Sequence, residues 1–241
     1  MESLYTFTSP PGPCGYLPDR EWQLRYEVVG QLTPQEYTLR LKRGWRRFGY
    51  SLFRPACPTC KMCQSIRIPV ETFRPDRSQQ RARKANDADV TVSRVTPGVS
   101  QERLDLYDRF HRFQADAKGW PEHDTENIAD YIESFVDNPF TTKEWQYRVG
   151  DRLVGVGYVD HLPEGLSAIY FFYDPEERKR SLGTYNVLSI VRHAAELGLP
   201  HVYLGFHVAG CRSLEYKARF RPNEVHAGNG VWVPFMADGP A

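Results

Sequence analysis

The sequence predicts an α+β fold, and three observations carry that expectation. Strand-like and helical stretches alternate along the chain, and the helical ones are bounded by capping residues and glycines. A chain of 241 residues, 41% of them hydrophobic, can also bury a core as one large domain or two small ones. The first helix is announced by "LTPQEYTLRLKRGWRRFGY": Thr33 can cap it, Pro34 fits its first turn and Glu36 completes a capping box. Tyr37, Leu41, Trp45 and Phe48 then recur at helical spacing, leaving the arginines on the other faces. "IRIPV" alternates like a short strand, "DRSQQRARKAN" reads as a polar, basic helix ending near Asn86, and "ADVTVSRV" is a strand. "TPGVS" breaks the chain before an acidic helical region over roughly residues 101–137.

From residue 145 the pattern changes. "WQYRVGDRLVGVGYVD" reads as two strands around a Gly-Asp turn, and "LSAIYFFYDP" as a third, nearly all-apolar strand. "LGTYNVLSIVRHAAELG" is a helix ending at Gly198, with Val187, Ile190, Val191, Ala194 and Leu197 on one face, and "HVYLGF" is a fourth strand. Strand, strand, strand, basic turn, helix, strand is the order of a GNAT-type acyltransferase core. The expected organisation is a GNAT-like transferase domain over residues 87–241, preceded by a smaller basic, Cys-containing region over residues 1–86.

The turn before that helix is informative. In a GNAT core a Q/R-x-x-G-x-G/A loop binds the coenzyme A pyrophosphate there, on backbone N–H groups and the helix dipole. Here "ERKRSLGTY" supplies Arg180 and Gly183, then Tyr185 where Gly or Ala is expected. A bulky ring at that position would crowd a phosphate held against the backbone. An anion of another kind, such as a tRNA phosphate, is the expectation.

Charge is unevenly spread. Net charge is +1, yet residues 40–84 hold 13 Lys/Arg against Glu71 and Asp76, a net +11 that leaves −10 for the remainder. A solvated, salt-bridged face accounts for many basic runs. This one is interleaved with Trp45, Phe48, Tyr50, Phe53 and Phe73, which also suits a polyanion such as RNA. The modest overall charge speaks against a dedicated nucleic-acid packaging protein. The first residues carry no basic leader followed by an apolar run, and no window approaches a membrane span, so the reading is a soluble, cytoplasmic chain with no membrane partner.

Five cysteines form an odd set that argues for reduced thiols rather than a secreted disulfide framework. Cys57, Cys60 and Cys63, at C-x2-C-x2-C spacing, with Cys14 as a distant fourth, can ligate zinc or an iron–sulfur cluster. A zinc ribbon uses two separated knuckles and the second is missing here, so reduced, buried or redox-sensing thiols remain the alternative. Cys211 reads as core or site-lining packing.

"CGYLPDR", "FRPACPTCKMCQSIRIPV", "SQQRARKAND", "YFFYDPEERKRSLGTY" and "YLGFHVAGCRSLEYKARFRP", in that order, resemble the arginyl-tRNA–protein transferase superfamily, most closely its bacterial branch, the aspartate/glutamate leucyltransferases. The resemblance covers nearly the whole chain. It implies transfer of leucine from leucyl-tRNA to the α-amine of proteins beginning with Asp or Glu, which marks them for regulated proteolysis. The eukaryotic relatives transfer arginine. "CGYL" lacks the second cysteine of the eukaryotic C-x-x-C.

The chemistry agrees with that implication. An aminoacyl ester is already activated, so acyl transfer needs no ATP and no cofactor. The enzyme must hold a neutral amine in near-attack geometry and stabilise the oxyanion and the departing ribose oxygen. Candidate catalytic residues are Asp174, at the end of "YFFYD", and Tyr216 and Lys217 in "EYKARF". Asp174 before Pro175 also reads as a turn former, and Lys217 as a phosphate contact. Arg81, Arg83, Lys84, Arg178, Arg180 and Gly183 are the candidate tRNA contacts. Recognition of an acidic acceptor calls for an arginine, which matches a carboxylate bidentately. Arg67 and Arg219 are the candidates, with structural ion pairing as the ordinary alternative for each. Two other functions compete: a coenzyme A-dependent N-acetyltransferase on the same fold, and a metal-stabilised RNA-binding module built on residues 1–86.

Overall fold

The computed structural model describes residues 1–121 and 128–236. Two principal sheets organise it. In chain order the first strands are β1 (Glu2–Thr8), β2 (Gly12–Pro13), β3 (Glu21–Trp22) and β4 (Leu24–Gln31), followed by helix α1 (Pro34–Lys42), β5 (Arg46–Phe48), β6 (Ser51–Pro55) and β7 (Gln64–Pro69). Helix α2 (Arg77–Asp87), β8 (Val90–Val95), α3 (Gln101–Lys118) and α4 (Ile128–Tyr131) lead to the central strands. These are β9 (Thr142–Val149), β10 (Arg152–Leu162) and β11 (Gly165–Tyr173), then helix α5 (Leu182–Glu196) and β12 (His201–His207). The hairpin β13 (Glu224–Gly228) and β14 (Val231–Pro234) follows. The small sheet has the order β1-β4-β6-β5, the large one β14-β13-β7-β12-β11-β10-β9-β8, and β2 pairs only with β3.

The expected strands and the α5 helix of the C-terminal half are all present, with Gly150 in the left-handed region at the β9–β10 turn (φ 56°). Within the stretch assigned to a separate N-terminal region, β7 lies inside the large sheet between β12 and β13, and α2 packs along α5. Apolar side chains of the large sheet and α5, among them Ile66, Trp145, Val187, Ile190 and Val202, form one core. Leu106, Phe110, Phe135 and Phe172 form another where α3 and the turn after α4 cover β10 and β11. The acidic helical region is α3, then α4 continuing into a wider helical turn over Ile132–Val136, with residues 122–127 outside the described chain. Among the described residues, no helix is long and apolar enough to cross a membrane.

The first helix differs from its expected length. Its start is as read: Thr33 Oγ1 accepts from the Glu36 N–H at 3.3 Å, and Glu36 accepts from the Thr33 N–H at 2.8 Å. It stops at Lys42, because Gly44 adopts φ 83°, a left-handed conformation that ends helices and costs glycine little. Beyond that turn the chain is extended, so Trp45 lies just past the helix and Phe48 on β5 rather than on one helical stripe. An extended β5 sends Arg46 and Arg47 to opposite faces of the sheet, where a helix would have fanned them round one axis.

Candidate functional site

The parallel pair β11 and β12 runs in register only through Gly165↔His201, Leu166↔Val202 and Ser167↔Tyr203. Beyond that point the strands diverge and leave a wedge between them. Two cations occupy it. Arg46 reaches in from β5 and donates to Ser167 Oγ at 3.1 Å and to the Ala168 carbonyl. Lys217, on the short 3-10 turn Glu215–Arg219, donates from Nζ to the Phe206 carbonyl at 2.8 Å. Gly205 lies between them with φ 88°, and a Cβ there would stand 3.5 Å from Lys217 Nζ and 3.6 Å from Arg46 Nε. A side chain at this position would be strained by its backbone and would stand in contact with both cations.

Both cations are buried, Arg46 at 6% and Lys217 at 9% exposure, and neither of their hydrogen bonds goes to a carboxylate. Burial, reinforced by the nearby Arg46 charge, lowers the Lys217 pKa to about 7. Burial likewise pulls Arg46 below the ordinary guanidinium value, although arginine keeps its proton at any working pH. His207 borders the same space. Burial and then the Lys217 charge push its pKa down, and its buried Nδ1 has no hydrogen-bond partner among the described residues. The wedge thus holds an amine that is half neutral near pH 7, a fixed positive charge and an imidazole kept neutral. That set can accept a proton and stabilise developing negative charge.

Of the three catalytic candidates, the structure brings only Lys217 here. Asp174 caps the 3-10 turn Pro175–Arg180, accepting from the Glu176 N–H at 3.0 Å and pairing with Arg152 at 3.0 Å and Arg109 at 3.7 Å. That is the turn-forming role its Pro175 neighbour suggested. Tyr216 is 37% exposed, its ring lies beside Phe220, and burial of its phenol pushes that group up to about 12. Arg67 is held by Glu224 at 2.7 Å and lies over the Trp232 ring at 4.4 Å, which is a structural ion pair. Arg219 is exposed on the 3-10 turn, and its carbonyl accepts from Gln79 at 3.0 Å.

The candidate tRNA contacts separate into two groups. Arg81, Arg83 and Lys84 project from α2 into solvent, and Arg178 is exposed as well. Arg180 is engaged by Asp89 through two 2.8 Å bonds and by Glu177 at 2.6 Å. Gly183, in the first turn of α5, has open space where a Cβ would project. Tyr185 does not obstruct that turn as expected: its buried ring lies beside Tyr147, and its hydroxyl donates to Asp87 of α2 at 2.8 Å. The helix interface takes up the ring, so its bulk gives no steric ground against a phosphate. A further basic feature draws on the basic run of residues 40–84 and adds Arg25 from β4. Arg25, Arg40, Arg43 and Arg54 line a cavity of about 290 Å³ with Trp45 and a single carboxylate, Glu27, which pairs with Arg40 at 2.9 Å. Arg25 and Arg54 are direct cross-strand partners, an arrangement that costs energy unless an anion sits between them.

The cysteines converge from three segments. Cys63 is influenced by the charges of Cys57, Cys14, Cys60 and Cys211, and with burial as the larger cause its thiol is pushed up to about 12. All five are free thiols, and Cys57 Sγ accepts from the Gln23 N–H at 3.4 Å. Cys14, Cys57, Cys60 and Cys63 supply a soft donor set suited to zinc or iron–sulfur. Among the described residues, no three donors stand at coordinating geometry.

Sequence reasoning missed Arg46 and His207 as site residues. Arg46 counted only as one charge in a basic run, because the helix drawn through Phe48 hid its direction.

Residues 12–81 match the family model "Arginine-tRNA-protein transferase, N terminus", and residues 102–227 match its C-terminal counterpart. An aspartate/glutamate leucyltransferase of Campylobacter jejuni is 37% identical over 216 residues, 89% of this chain and 90% of that protein. One from Pseudomonas savastanoi is 38% identical over 235 residues, 97% of each. Among solved structures, FemX superposes with TM-score 0.52 at 9% identity, over 93% of this chain and 86% of that one. L-PGS from Bacillus licheniformis superposes with TM-score 0.50 at 13% identity, over 73% of this chain and 59% of that one. These likenesses speak to the fold, an α+β arrangement around a GNAT-like acyltransferase core.

Proposed function

The chain belongs to the arginine-tRNA-protein transferase family, and on that premise we propose that it moves leucine from leucyl-tRNA to the α-amine of proteins that begin with Asp or Glu. It is an aminoacyltransferase, a leucyl-tRNA–protein transferase. The observation that carries the reading is the 37–38% identity to aspartate/glutamate leucyltransferases over 89–97% of the chain.

The acceptor amine attacks the ester carbonyl of leucyl-tRNA. A C–N bond forms, the C–O bond to the terminal ribose breaks, and the amine proton passes to the departing ribose oxygen. Lys217, neutral in about half of the molecules near pH 7, takes the proton that the amine nitrogen sheds once the C–N bond has formed and passes it to the leaving oxygen. Arg46, buried with no carboxylate among its described hydrogen-bond partners, receives the acceptor's side-chain carboxylate, which lies one or two methylenes from the reacting amine. Burial favours Arg46 for this role over Arg67, which Glu224 already neutralises, and over the exposed Arg219. Arg81, Arg83, Lys84 and the arginine-lined cavity suit the tRNA backbone. Cys14, Cys57, Cys60 and Cys63 would hold a zinc ion or an iron–sulfur cluster that ties the N-terminal loops to the large sheet, apart from the acyl chemistry.

The test is incubation with leucyl-tRNA or arginyl-tRNA and peptides starting with Asp, Glu, Arg or Ala. Leucine should pass to the Asp and Glu peptides. Arginine transfer with no leucine transfer would replace the donor, and equal transfer to all four peptides would remove the acceptor assignment.

A further inference from the structure

One face of the small sheet carries an unbroken row of aromatic rings. Phe7 of β1, Tyr26 of β4 and Phe53 of β6 are successive cross-strand partners, and Arg46 of β5 continues the register, so all four share a face. Tyr5, two residues before Phe7, extends the row outward. Centroids are 6.0 Å apart from Tyr5 to Phe7, 4.9 Å from Phe7 to Tyr26 and 6.2 Å from Tyr26 to Phe53. Phe7 and Tyr26 are nearly parallel, at 12°. At the inner end Phe53 stands 6.3 Å from Phe206, whose carbonyl holds Lys217. The row therefore runs from an edge strand to the reaction wedge.

Its outer half faces solvent. All seven residues of β1 are exposed, including Tyr5 at 57% and Phe7 at 46%. Exposed rings on an edge strand invite wrong pairing and are usually removed or covered. Here they line the approach to a site that needs one particular ligand end.

We propose that this ring row is the docking track for the single-stranded 3′ end of the aminoacyl-tRNA, its bases stacking on Phe7, Tyr26 and Phe53 so that the terminal ester enters the Lys217–Arg46 wedge. The inference rests on the leucyl-tRNA reading above and specifies how that substrate is held. Two features favour this occupant. Every base has a face that stacks on an aromatic ring, so the track is indifferent to sequence, as a surface for a common tRNA terminus must be. The row ends at the wedge, where the reacting ester has to arrive.

The test uses the full chain with Tyr5→Ser and Phe7→Ser combined, two exposed positions whose change leaves the core intact. Transfer to an Asp-starting peptide is followed with two donors, leucyl-tRNA and the minimal ester leucyl-adenosine, which has no strand to stack. The KM for leucyl-tRNA should rise by about 10-fold or more, the worth of one lost stack. Transfer from leucyl-adenosine should match that of the unaltered protein. An unchanged KM for leucyl-tRNA in a variant that transfers normally overturns the track while leaving the transferase reading in place. A raised KM for the peptide instead assigns the rings to the acceptor and also overturns it. So does sedimentation showing that the unaltered protein is a dimer and the variant a monomer, which would make a second copy the occupant. An unaltered protein that transfers no leucine from leucyl-tRNA removes the function itself, and the track with it.

Discussion

Strand β5 places two adjacent arginines on opposite faces of one sheet, and the two faces treat buried charge differently. Arg47 is almost wholly enclosed. Its Nε donates to Asp160 at 2.9 Å, Nη1 to the Gly49 carbonyl at 2.8 Å and to Asn138 at 2.9 Å, and Nη2 to Thr142 at 2.6 Å and to Asp160. Every N–H has an acceptor and the charge has a counter-charge, so the group acts as a structural clamp between the two sheets. Arg46, one residue earlier, donates its hydrogen bonds to a hydroxyl and a carbonyl and has Lys217 nearby. The Asp160 charge still acts on Arg46, but Arg47 takes that carboxylate's hydrogen bonds, which leaves Arg46 free to receive an incoming anion. The contrast separates a residue that holds the fold from one that waits for substrate.

The largest effect should come from breaking the compensated side. Arg47→Met leaves Asp160 buried without its partner and should cost about 3–5 kcal/mol, measured by the urea midpoint. Arg46→Met removes a charge whose partners are neutral, so its cost in stability should be clearly smaller. Equal losses for the two variants would erase the distinction between clamp and site.

The second prediction sharpens the functional side. Arg46→Met should lose about 2–5 kcal/mol of preference for Asp- and Glu-starting peptides over Ala-starting ones, because a ligand carboxylate is left unpaired in a desolvated pocket. Binding of leucyl-tRNA should stay intact. Arg67→Ala, which frees Glu224, should lower stability and leave acceptor preference alone. An Arg46→Met protein that keeps its preference for acidic peptides would return recognition to Arg67 or Arg219.

The cysteine cluster extends the comparison to negative charge. Burial, and then the neighbouring cysteines, push the Cys63 thiol up to about 12. A bound metal would play for these sulfurs the part that Arg47 plays for Asp160. Anaerobically purified protein should contain about one zinc or one iron–sulfur cluster per chain, lost in Cys57→Ser, Cys60→Ser and Cys63→Ser. Active protein with well under one equivalent of metal would make these plain thiols.

The smallest effect belongs to fully solvated charge. Replacing Arg81, Arg83 and Lys84 together with Ala should leave stability nearly unchanged and flatten the salt dependence of tRNA binding by up to about three phosphate contacts. Unchanged binding would move the contact surface to Arg178 or to the arginine-lined cavity.

Much of the architecture was legible in the sequence, for a physical reason. Alternation in "WQYRVGDRLVGVGYVD" and the apolar face of "LGTYNVLSIVRHAAELG" are local patterns, and both are built as read. The wedge is not local. It exists because β11 and β12 part after Ser167↔Tyr203, and those partners are far apart in the chain. Lys217 was within reach because "EYKARF" belongs to a recognisable string. Arg46 was not, since the four-residue recurrence of Tyr37, Leu41 and Trp45 carried the helix past Gly44, and only the left-handed turn there reveals the strand. The exposed β1 was equally hidden, because a strand with both faces in solvent has no burial pattern to impose on its sequence.

The most direct test of the wedge as reaction centre is the pH dependence of single-turnover leucyl transfer in the unaltered protein and in Lys217→Arg and Lys217→Met. The folded lysine titrates near 7 against about 10.4 when unfolded, so its charged form is disfavoured by the fold. That penalty is fully present below pH about 7 and is relieved as pH rises towards about 10. Lys217→Met should therefore be more stable than the unaltered protein, most of all below pH about 7. In the unaltered protein, transfer should rise with two deprotonations, Lys217 near 7 and the acceptor α-amine near 8. Lys217→Arg, charged throughout, should lose the lower step and about 10²–10⁴-fold of rate, leaving only the titration of the amine. A Lys217→Arg protein that keeps both the rate and the step near 7 would contradict a proton-transfer role for Lys217 and, with it, the wedge as the place where leucine changes hands.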